Sequence, residues 1–201
     1  GLTTEIDVRR DFAGPLPAGG IAEVLGVRAD ERDRFQEWSD DLATIVFATD
    51  PHVTAPEQAI AAAGEFSDFF QNLIDRERSD PSGTLMTLLV EGAGDELSDL
   101  ELVGACTLIL FAGHETTTSL LMNTMGLLAS QPALVKRLRI SDTETALEEF
   151  LRVIGPTRSM YRKVAIAHER GGKTFEAGDN VLLCDAADNH DPEGFDHPDQ
   201  M

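Results

Sequence analysis

A long uncharged segment in the middle of the chain limits what this sequence can fold into. Residues 102–113 carry no charged side chain, and a second uncharged stretch runs from residue 116 to Ser130. Residues 98–101 read Ser-Asp-Leu-Glu, the capping-box pattern of a helix start. A helix from Ser98 to Ser130 would be about 50 Å long at 1.5 Å per residue. Because it is apolar on all sides, we expect it to run through the protein interior.

The five residues Ala112 to Thr116, which read Ala-Gly-His-Glu-Thr, interrupt this segment with polar chemistry. A buried carboxylate is costly unless it is hydrogen-bonded or needed for a reaction. Ala112 and Gly113 would leave a flat surface for a planar ligand, and Thr116 is placed to donate to the carbonyl of Ala112. A structural explanation stays open, with Gly113 as a packing contact, back-bonded threonines, and Glu115 reaching solvent or an arginine.

A zinc-protease interpretation of the same residues is excluded by their spacing. The motif His-Glu-x-x-His requires a second histidine, and Thr118 occupies that position.

The rest of the pattern predicts a mainly α fold with a small antiparallel β unit. Residues 1–20 contain proline and glycine breakers, so we expect irregular structure there, followed by a short helix at 21–27. Helical periodicity or capping predicts further helices at 30–50, 57–79, 84–90, 133–139 and 142–153. Extended patterns separated by Gly-Gly and Ala-Gly-Asp turns lie at 160–167, 174–176 and 181–183. We predict a single domain over 1–201, with a helical body at about 12–153, a β-containing segment at about 156–187 and a polar tail at 188–201.

Charge and cysteine content exclude several classes of protein. The chain has 36 acidic and 16 basic residues and a formal charge of −20, which argues against nucleic-acid binding. Its two cysteines, Cys106 and Cys184, form no disulfide or metal signature, so a reducing compartment is expected. No export signal is visible, and the charge between the two uncharged stretches argues against a membrane span. We therefore expect a cytoplasmic protein without membrane contact.

Two pairs of charged residues downstream of the long segment are candidates for structural or binding roles. Glu149 and Arg152 stand at i and i+3 of one predicted helix, which taken alone indicates an ordinary ion pair. Arg158 and Arg162 lie where that helix gives way to strand, a position suited to binding a carboxylate-bearing ligand.

The order of these motifs resembles the cytochrome P450 family, in its soluble bacterial type. Residues 112–116 resemble the family's (A/G)-G-x-(D/E)-T, and residues 149–152 its Glu-x-x-Arg. Residues 12–17 and 25–27 resemble the start of the E helix. Residues 178–183 and 187–192 resemble the Gly-Asp-x-Val and Ala-Asn-x-Asp-Pro stretches. The resemblance implies helices E near 15–25, F near 30–48, G near 56–78, H near 84–91, I at 98–130, J at 133–139 and K at 142–153.

The resemblance also implies an activity and its residues. It implies a monooxygenase that uses heme b, O2 and two electrons to oxidise a small hydrophobic organic substrate. Glu115 and Thr116 would be catalytic, and Glu149 and Arg152 structural. The cofactor-binding residues it implies are Ala112, Gly113, Thr116 and Arg162, with Arg158 as the second candidate for the haem-propionate arginine. The substrate pocket it implies is formed by Leu108, Phe111, Thr157 and Ser159. A ferredoxin- or flavodoxin-type protein would supply the electrons.

The family's cysteine loop, Phe-x-x-Gly-x-(His/Arg)-x-Cys-x-Gly, is absent from these residues. We therefore expect no metal ligand in this chain and an axial cysteine beyond Met201. We also expect the chain to be a fragment that covers the middle half of a P450 and is inactive alone. The alternative is a haem-free truncated protein that acts as a binding or interaction module. A third interpretation would make a metal site of His190, Asp191, His197 and Asp199.

Overall fold

The computed structural model describes residues 5–46, 57–94 and 96–201. Its α-helices are α1 (Pro15–Leu25), α2 (Arg32–Val46), α3 (Glu57–Ser79), α4 (Leu85–Ala93), α5 (Asp99–Ser130), α6 (Pro132–Leu138), α7 (Thr143–Ile154) and α8 (Asp185–Asp188), and short π and 3-10 helices lie at Arg9–Ala13 and Ala29–Glu31. Its strands are β1 (Met160–Lys163), β2 (His168–Arg170), β3 (Lys173–Phe175) and β4 (Asn180–Leu183). The chain divides into two compact units, residues 1–118 and 119–201.

The core of the first unit is built around aromatic side chains of α2 and α3. Phe35 and Trp38 stand three residues apart on α2, and Phe66 and Phe70 four apart on α3, so each pair lies on one helix face. The Phe66 and Phe70 ring centroids are 4.7 Å apart, and Trp38 meets Phe66 edge-on at 6.2 Å. All four residues are less than 10% exposed. The helical periodicity predicted here is confirmed.

Helix α1 corrects the pattern-based expectation of irregular structure up to residue 20 and confirms the helix near 15–25 that the family resemblance implies. It begins at Pro15 because the first turn of a helix has no internal acceptor for backbone N–H groups, so proline costs little there. Ala18, Ala22 and Leu25 bury one face of the helix. The helix ends at Gly26, which has a left-handed φ of 83°.

Helix α5 is continuous, as predicted, and its capping box forms. The backbone N–H of Ser98 donates to Glu101 Oε2 at 2.8 Å, and the Glu101 N–H donates to Ser98 Oγ at 3.4 Å. Within these 201 residues, our expectation that it runs through the protein interior holds for one face of the helix. One face packs into the core of the first unit, while Leu108 remains 69% exposed on the opposite side. Within the described residues, none of the helices combines the length and hydropathy needed to cross a bilayer.

The second unit contains two antiparallel strand pairs. Strand β1 pairs with β4, with Arg162 opposite Val181, and β2 pairs with β3 across a Gly171-Gly172 turn. Both turn glycines have positive φ, which side-chain-bearing residues rarely adopt. The predicted mainly α fold with a small antiparallel β unit is therefore confirmed, whereas the single-domain organisation stays a prediction.

The start of α5 is tied to α3 through the carboxylate of Asp99. Arg78 donates to both carboxylate oxygens, at 2.5 and 3.0 Å, and Gln71 Nε2 donates at 2.8 Å. The hydrogen bond from Arg78, and then that from Gln71, lower the pKa of Asp99 to about 2. Because this pKa is depressed in the folded state, the stabilisation is present at neutral pH and is lost as the pH falls toward 2.

We therefore expect Asp99→Asn to reduce the dependence of the free energy of unfolding on pH in the acidic range. The free energy of unfolding, measured by urea titration between about pH 5 and pH 2.5, should fall less steeply in the variant than in the wild type. Asp68→Asn, at an exposed position of α3, should keep the wild-type slope. Equal slopes for wild type and Asp99→Asn would contradict the assignment.

Candidate functional site

The outward face of α5 presents a row of small or apolar residues at four-residue intervals. Gly104, Leu108, Ala112 and Thr116 are all exposed along this row. The Thr116 hydroxyl donates to the carbonyl oxygen of Ala112 at 2.7 Å, which confirms the predicted back-bond. The row therefore ends in a hydroxyl that is fixed at the helix surface beside a side chain no larger than a methyl group.

Gly113 packs against helix α1. A Cβ atom on Gly113 would lie 2.3 Å from Cδ1 and 2.7 Å from Cγ1 of Ile21, closer than real carbon atoms approach. Helix packing thus explains why a glycine stands at position 113. This is the structural explanation that stayed open in the sequence analysis. A role for Gly113 in cofactor binding stays a prediction.

We expect Gly113→Ala to destabilise the first unit by about 1–3 kcal/mol, because the added methyl overpacks the contact with Ile21. Urea unfolding at neutral pH measures the loss. In an Ile21→Ala background the same substitution should cost clearly less, since the clashing atoms are gone.

Gly104 provides the matched control on the same helix. A Cβ atom there would meet no other atom within 4 Å, so Gly104→Ala should stabilise the helix by up to about 1 kcal/mol. An equal response of Gly104 and Gly113 to alanine would contradict the packing explanation.

Glu115 is held by an arginine that precedes α1. Arg9 Nη2 donates to Glu115 Oε1 at 3.4 Å, and the glutamate side chain is 15% exposed. The sequence analysis expects an arginine or solvent as the partner of this carboxylate. It does not identify Arg9, which lies 106 residues away in the chain. The carboxylate therefore stands next to Thr116 in the chain, fixed by a cation and still accessible to water.

The neighbouring His114 faces the opposite way, into the core. Its Nδ1 lies 2.6 Å from the hydroxyl oxygen of Ser39 on α2, and both residues are fully buried. No local pattern indicates this contact, because Ser39 stands in a polar stretch whose spacing resembles a solvated helix face. The histidine thus ties α5 to α2 at the residue that precedes Glu115.

In the second unit, Glu149 and Arg152 of α7 form the predicted ion pair. Arg152 Nη2 and Nε donate to the two oxygens of Glu149 at 2.7 and 2.8 Å. The same guanidinium donates to the backbone carbonyls of Asn189, Pro198 and Gln200 at 2.8–3.1 Å. Hydrogen bonding to Glu149 raises the pKa of Arg152 despite its burial. The pair therefore anchors the polar tail, consistent with its predicted structural role.

Arg158 and Arg162 lie in different surroundings within this unit. Arg162 is exposed on β1, and its guanidinium donates to the carbonyl of Tyr161 at 2.9 Å. Arg158 lies in the wall of a cavity of about 790 Å³ that is formed by the second half of α5, the end of α7 and the segments that follow. Either arginine is accessible to an external carboxylate.

The four predicted pocket residues fall two in each unit. Leu108 projects from the exposed row of α5, whereas Phe111 is 6% exposed and belongs to the core of the first unit. In the second unit Thr157 lines the cavity, and the neighbouring Ser159 is exposed. Their assignment to one substrate pocket stays a prediction.

The two cysteines and the polar tail (188–201) offer no metal site. Burial raises the pKa of the Cys106 thiol to about 12, so it stays protonated in the core, and Cys184 is exposed. No group of three or more histidine, cysteine or acidic residues within the described parts of the chain could hold a metal ion. This finding includes His190, Asp191, His197 and Asp199.

Comparison with known proteins identifies the family. The family model "Cytochrome P450" matches residues 47–141. Putative cytochrome P450 YjiB of Bacillus subtilis is 35% identical, with 97% of this chain and 51% of the relative covered. Vitamin D(3) 25-hydroxylase of Pseudonocardia autotrophica is 34% identical, with coverages of 100% and 50%.

Solved structures agree with the sequence matches. The crystal structure of P450BioI in complex with an acyl carrier protein ligated to hexadec-9Z-enoic acid has a TM-score of 0.87 and 31% identity, covering 97% of this chain and 51% of that one. The chain thus spans about half the length of the curated relatives it matches. Its sequence motifs, its helical order and these matches agree, and the chain belongs to the cytochrome P450 family.

Proposed function

We propose that these residues form the middle part of a haem-thiolate monooxygenase, which inserts oxygen from O2 into a small hydrophobic organic substrate. The observation that carries the proposal is the surface of α5, where the fixed Thr116 hydroxyl and the Arg9-bound carboxylate of Glu115 are consecutive in the chain. Membership of the P450 family supports it. The oxidation of the substrate requires two electrons, for which we propose a ferredoxin- or flavodoxin-type donor in the cytoplasm.

Each unit, taken by itself, contains residues whose chemistry suits a haem. The exposed row of α5 offers an apolar surface, and at Ala112 nothing larger than a methyl group projects from it. Arg162 has an exposed guanidinium that is suited to a propionate, with Arg158 as the second candidate. When bound through a cysteine thiolate, haem supplies the activation of O2, because the thiolate favours cleavage of the O–O bond. We propose that this thiolate lies outside these 201 residues.

The chain's own contribution is proton delivery and orientation. The Thr116 hydroxyl donates its one proton to the Ala112 carbonyl in this structure, so to donate to a bound ligand it must turn away from that carbonyl. Glu115 is 15% exposed, so its carboxylate can take a proton from water and pass it toward that hydroxyl. Arg9 fixes the orientation of Glu115, and the Glu149–Arg152 pair holds the fold of the second unit.

Haem binding tests this proposal directly. The product of the complete reading frame should take up haem, and its reduced carbon monoxide complex should show the red-shifted band of a thiolate-ligated iron. The 201 residues alone should not show that band. Failure of the complete protein to bind haem would overturn the proposal and leave a haem-free binding module.

Arg162→Met should lower the haem affinity of the complete protein, because a propionate would lose a charged partner. Arg170→Met removes an exposed arginine of β2 and should leave the affinity unchanged.

A further inference from the structure

Three consecutive residues of α5, at positions 113–115, each contact a different part of the first unit. Their partners are, in order, Ile21 of α1, Ser39 of α2 and Arg9. The next residue along the helix is Thr116, whose hydroxyl the proposed function assigns to proton delivery. The helix is therefore held from several sides at the point where its chemistry begins.

The contact between Ser39 and His114 is enclosed by the first unit itself. The Ser39 hydroxyl oxygen lies 2.6 Å from His114 Nδ1, and the exposed fractions of the two residues are 0% and 1%. A serine hydroxyl can donate to a bare Nδ1 or accept from a protonated one, so the bond forms with either tautomer of the histidine. Because both side chains are already buried, the contact does not depend on parts of the complete protein outside these residues.

This hydrogen bond differs in kind from the apolar contacts on the same face of α5. Leu102, Cys106 and Leu110 belong to the hydrophobic core, and apolar contacts have no preferred direction. A hydrogen bond weakens steeply when its angle becomes unfavourable, so it restricts the rotation of the helix about its own axis. Buried polar pairs add little stability over well-packed apolar residues, and their best-attested use is to specify one arrangement.

A rotation of α5 about its axis would move Thr116. Successive residues of an α-helix are about 100° apart, so His114 and Thr116 lie on opposite sides of the helix. The burial agrees, because Leu110 and Thr118, one turn on either side of His114, are buried, whereas Thr116 is exposed. With Cα atoms about 2.3 Å from the axis, a rotation of about 20° displaces the Thr116 Cα by about 0.8 Å. Functional groups must be held to within about 0.5 Å, so such a rotation is enough to misplace the hydroxyl.

We propose that Ser39 and His114 are positioning residues for the reaction. Their hydrogen bond sets the rotation of α5 relative to α2 and thereby holds the Thr116 hydroxyl in one place. This inference rests on the proposed monooxygenase function, in which that hydroxyl serves the haem.

The stretching band of carbon monoxide on the reduced haem reports the position of the hydroxyl without a substrate. Its frequency responds to polar groups near the bound gas, so infrared spectra of the complete, haem-loaded protein can be compared between variants. The variants are Ser39→Ala, Thr116→Ala and the double variant that combines them. Val103→Ala is the control, because it removes apolar contact from the buried face of the same helix and leaves the hydrogen bond in place.

We expect Thr116→Ala to shift the band, because the hydroxyl is lost. Ser39→Ala should shift or broaden the band as well, although this variant keeps Thr116. In the double variant the Ser39 substitution should add no further change, since Ser39 acts through a hydroxyl that is already absent. Val103→Ala should keep the wild-type band.

Three results would overturn the inference: an unchanged band in Ser39→Ala, an equal shift in Val103→Ala, or a full effect of the Ser39 substitution in the double variant. An unchanged band in Thr116→Ala would overturn it together with the proposed role of the hydroxyl. The test for thiolate ligation of the haem uses an absorption band that is measured separately, so failure of the proposed function is distinguishable from failure of this inference.

Discussion

Thr116→Ala is expected to uncouple the consumption of O2 from the formation of product in the complete, haem-loaded protein. The variant keeps the helix but removes the hydroxyl that the Ala112 carbonyl holds at 2.7 Å on the exposed face of α5. A positioned proton donor contributes roughly 10²–10⁴-fold to a rate, so product formed per O2 consumed should fall by about tenfold or more. Oxygen-electrode and product measurements on the same sample give this ratio.

Two neighbouring substitutions separate chemistry from helix stability. Thr116→Ser keeps a hydroxyl and should retain most of the coupling. Thr117→Ala removes an exposed threonine one residue along the same helix and should leave the ratio unchanged. Normal coupling in Thr116→Ala would refute the proposed role of this hydroxyl.

Arg152→Leu is expected to have the largest effect on stability. The side chain is only 12% exposed and satisfies both Glu149 oxygens and three backbone carbonyls. Its removal leaves a carboxylate and carbonyl groups without donors. Because Glu149 is 35% exposed and water can reach its carboxylate, we expect a loss of about 3 kcal/mol, the low end for a buried pair. Chemical denaturation at neutral pH should show the loss directly.

Arg152→Lys should recover only part of this stability, since an ammonium group cannot reproduce the bidentate contact with Glu149. Arg170→Leu, at an exposed position of β2, should change the free energy of unfolding by less than about 0.5 kcal/mol. A similarly small change for Arg152→Leu would show that the network contributes nothing to stability.

Local patterns predicted most of the secondary structure correctly because their causes are local. The Ser98–Glu101 capping box, the aromatic periodicity of α2 and α3 and the Gly171-Gly172 turn each act within a few residues. The breaker pattern alone fails for the first half of α1, because proline at the first helical position is compatible with a helix, whereas the family resemblance places helix E near 15–25 correctly.

Contacts between residues that are far apart in the chain could not be predicted from the sequence. Nothing near Arg9 or Ile21 indicates that they meet α5, since both contacts depend on how α1 packs. Glu77 shows the same limit: it stands in a charged stretch yet is 3% exposed, and it accepts hydrogen bonds from the Ser82 N–H and the Thr87 hydroxyl. Burial of this kind follows from tertiary packing and not from local pattern.

The contact between Ser39 and His114 has a consequence for the order of folding. The two residues are 75 positions apart, so their bond closes a long loop, and we expect it to form late in folding. Contacts absent from the folding transition state affect the unfolding rate alone. In stopped-flow experiments, Ser39→Ala should therefore accelerate unfolding while refolding proceeds at nearly the wild-type rate. The hydrogen bond would then slow the unfolding of the helix that carries Glu115 and Thr116 without changing how fast that helix folds.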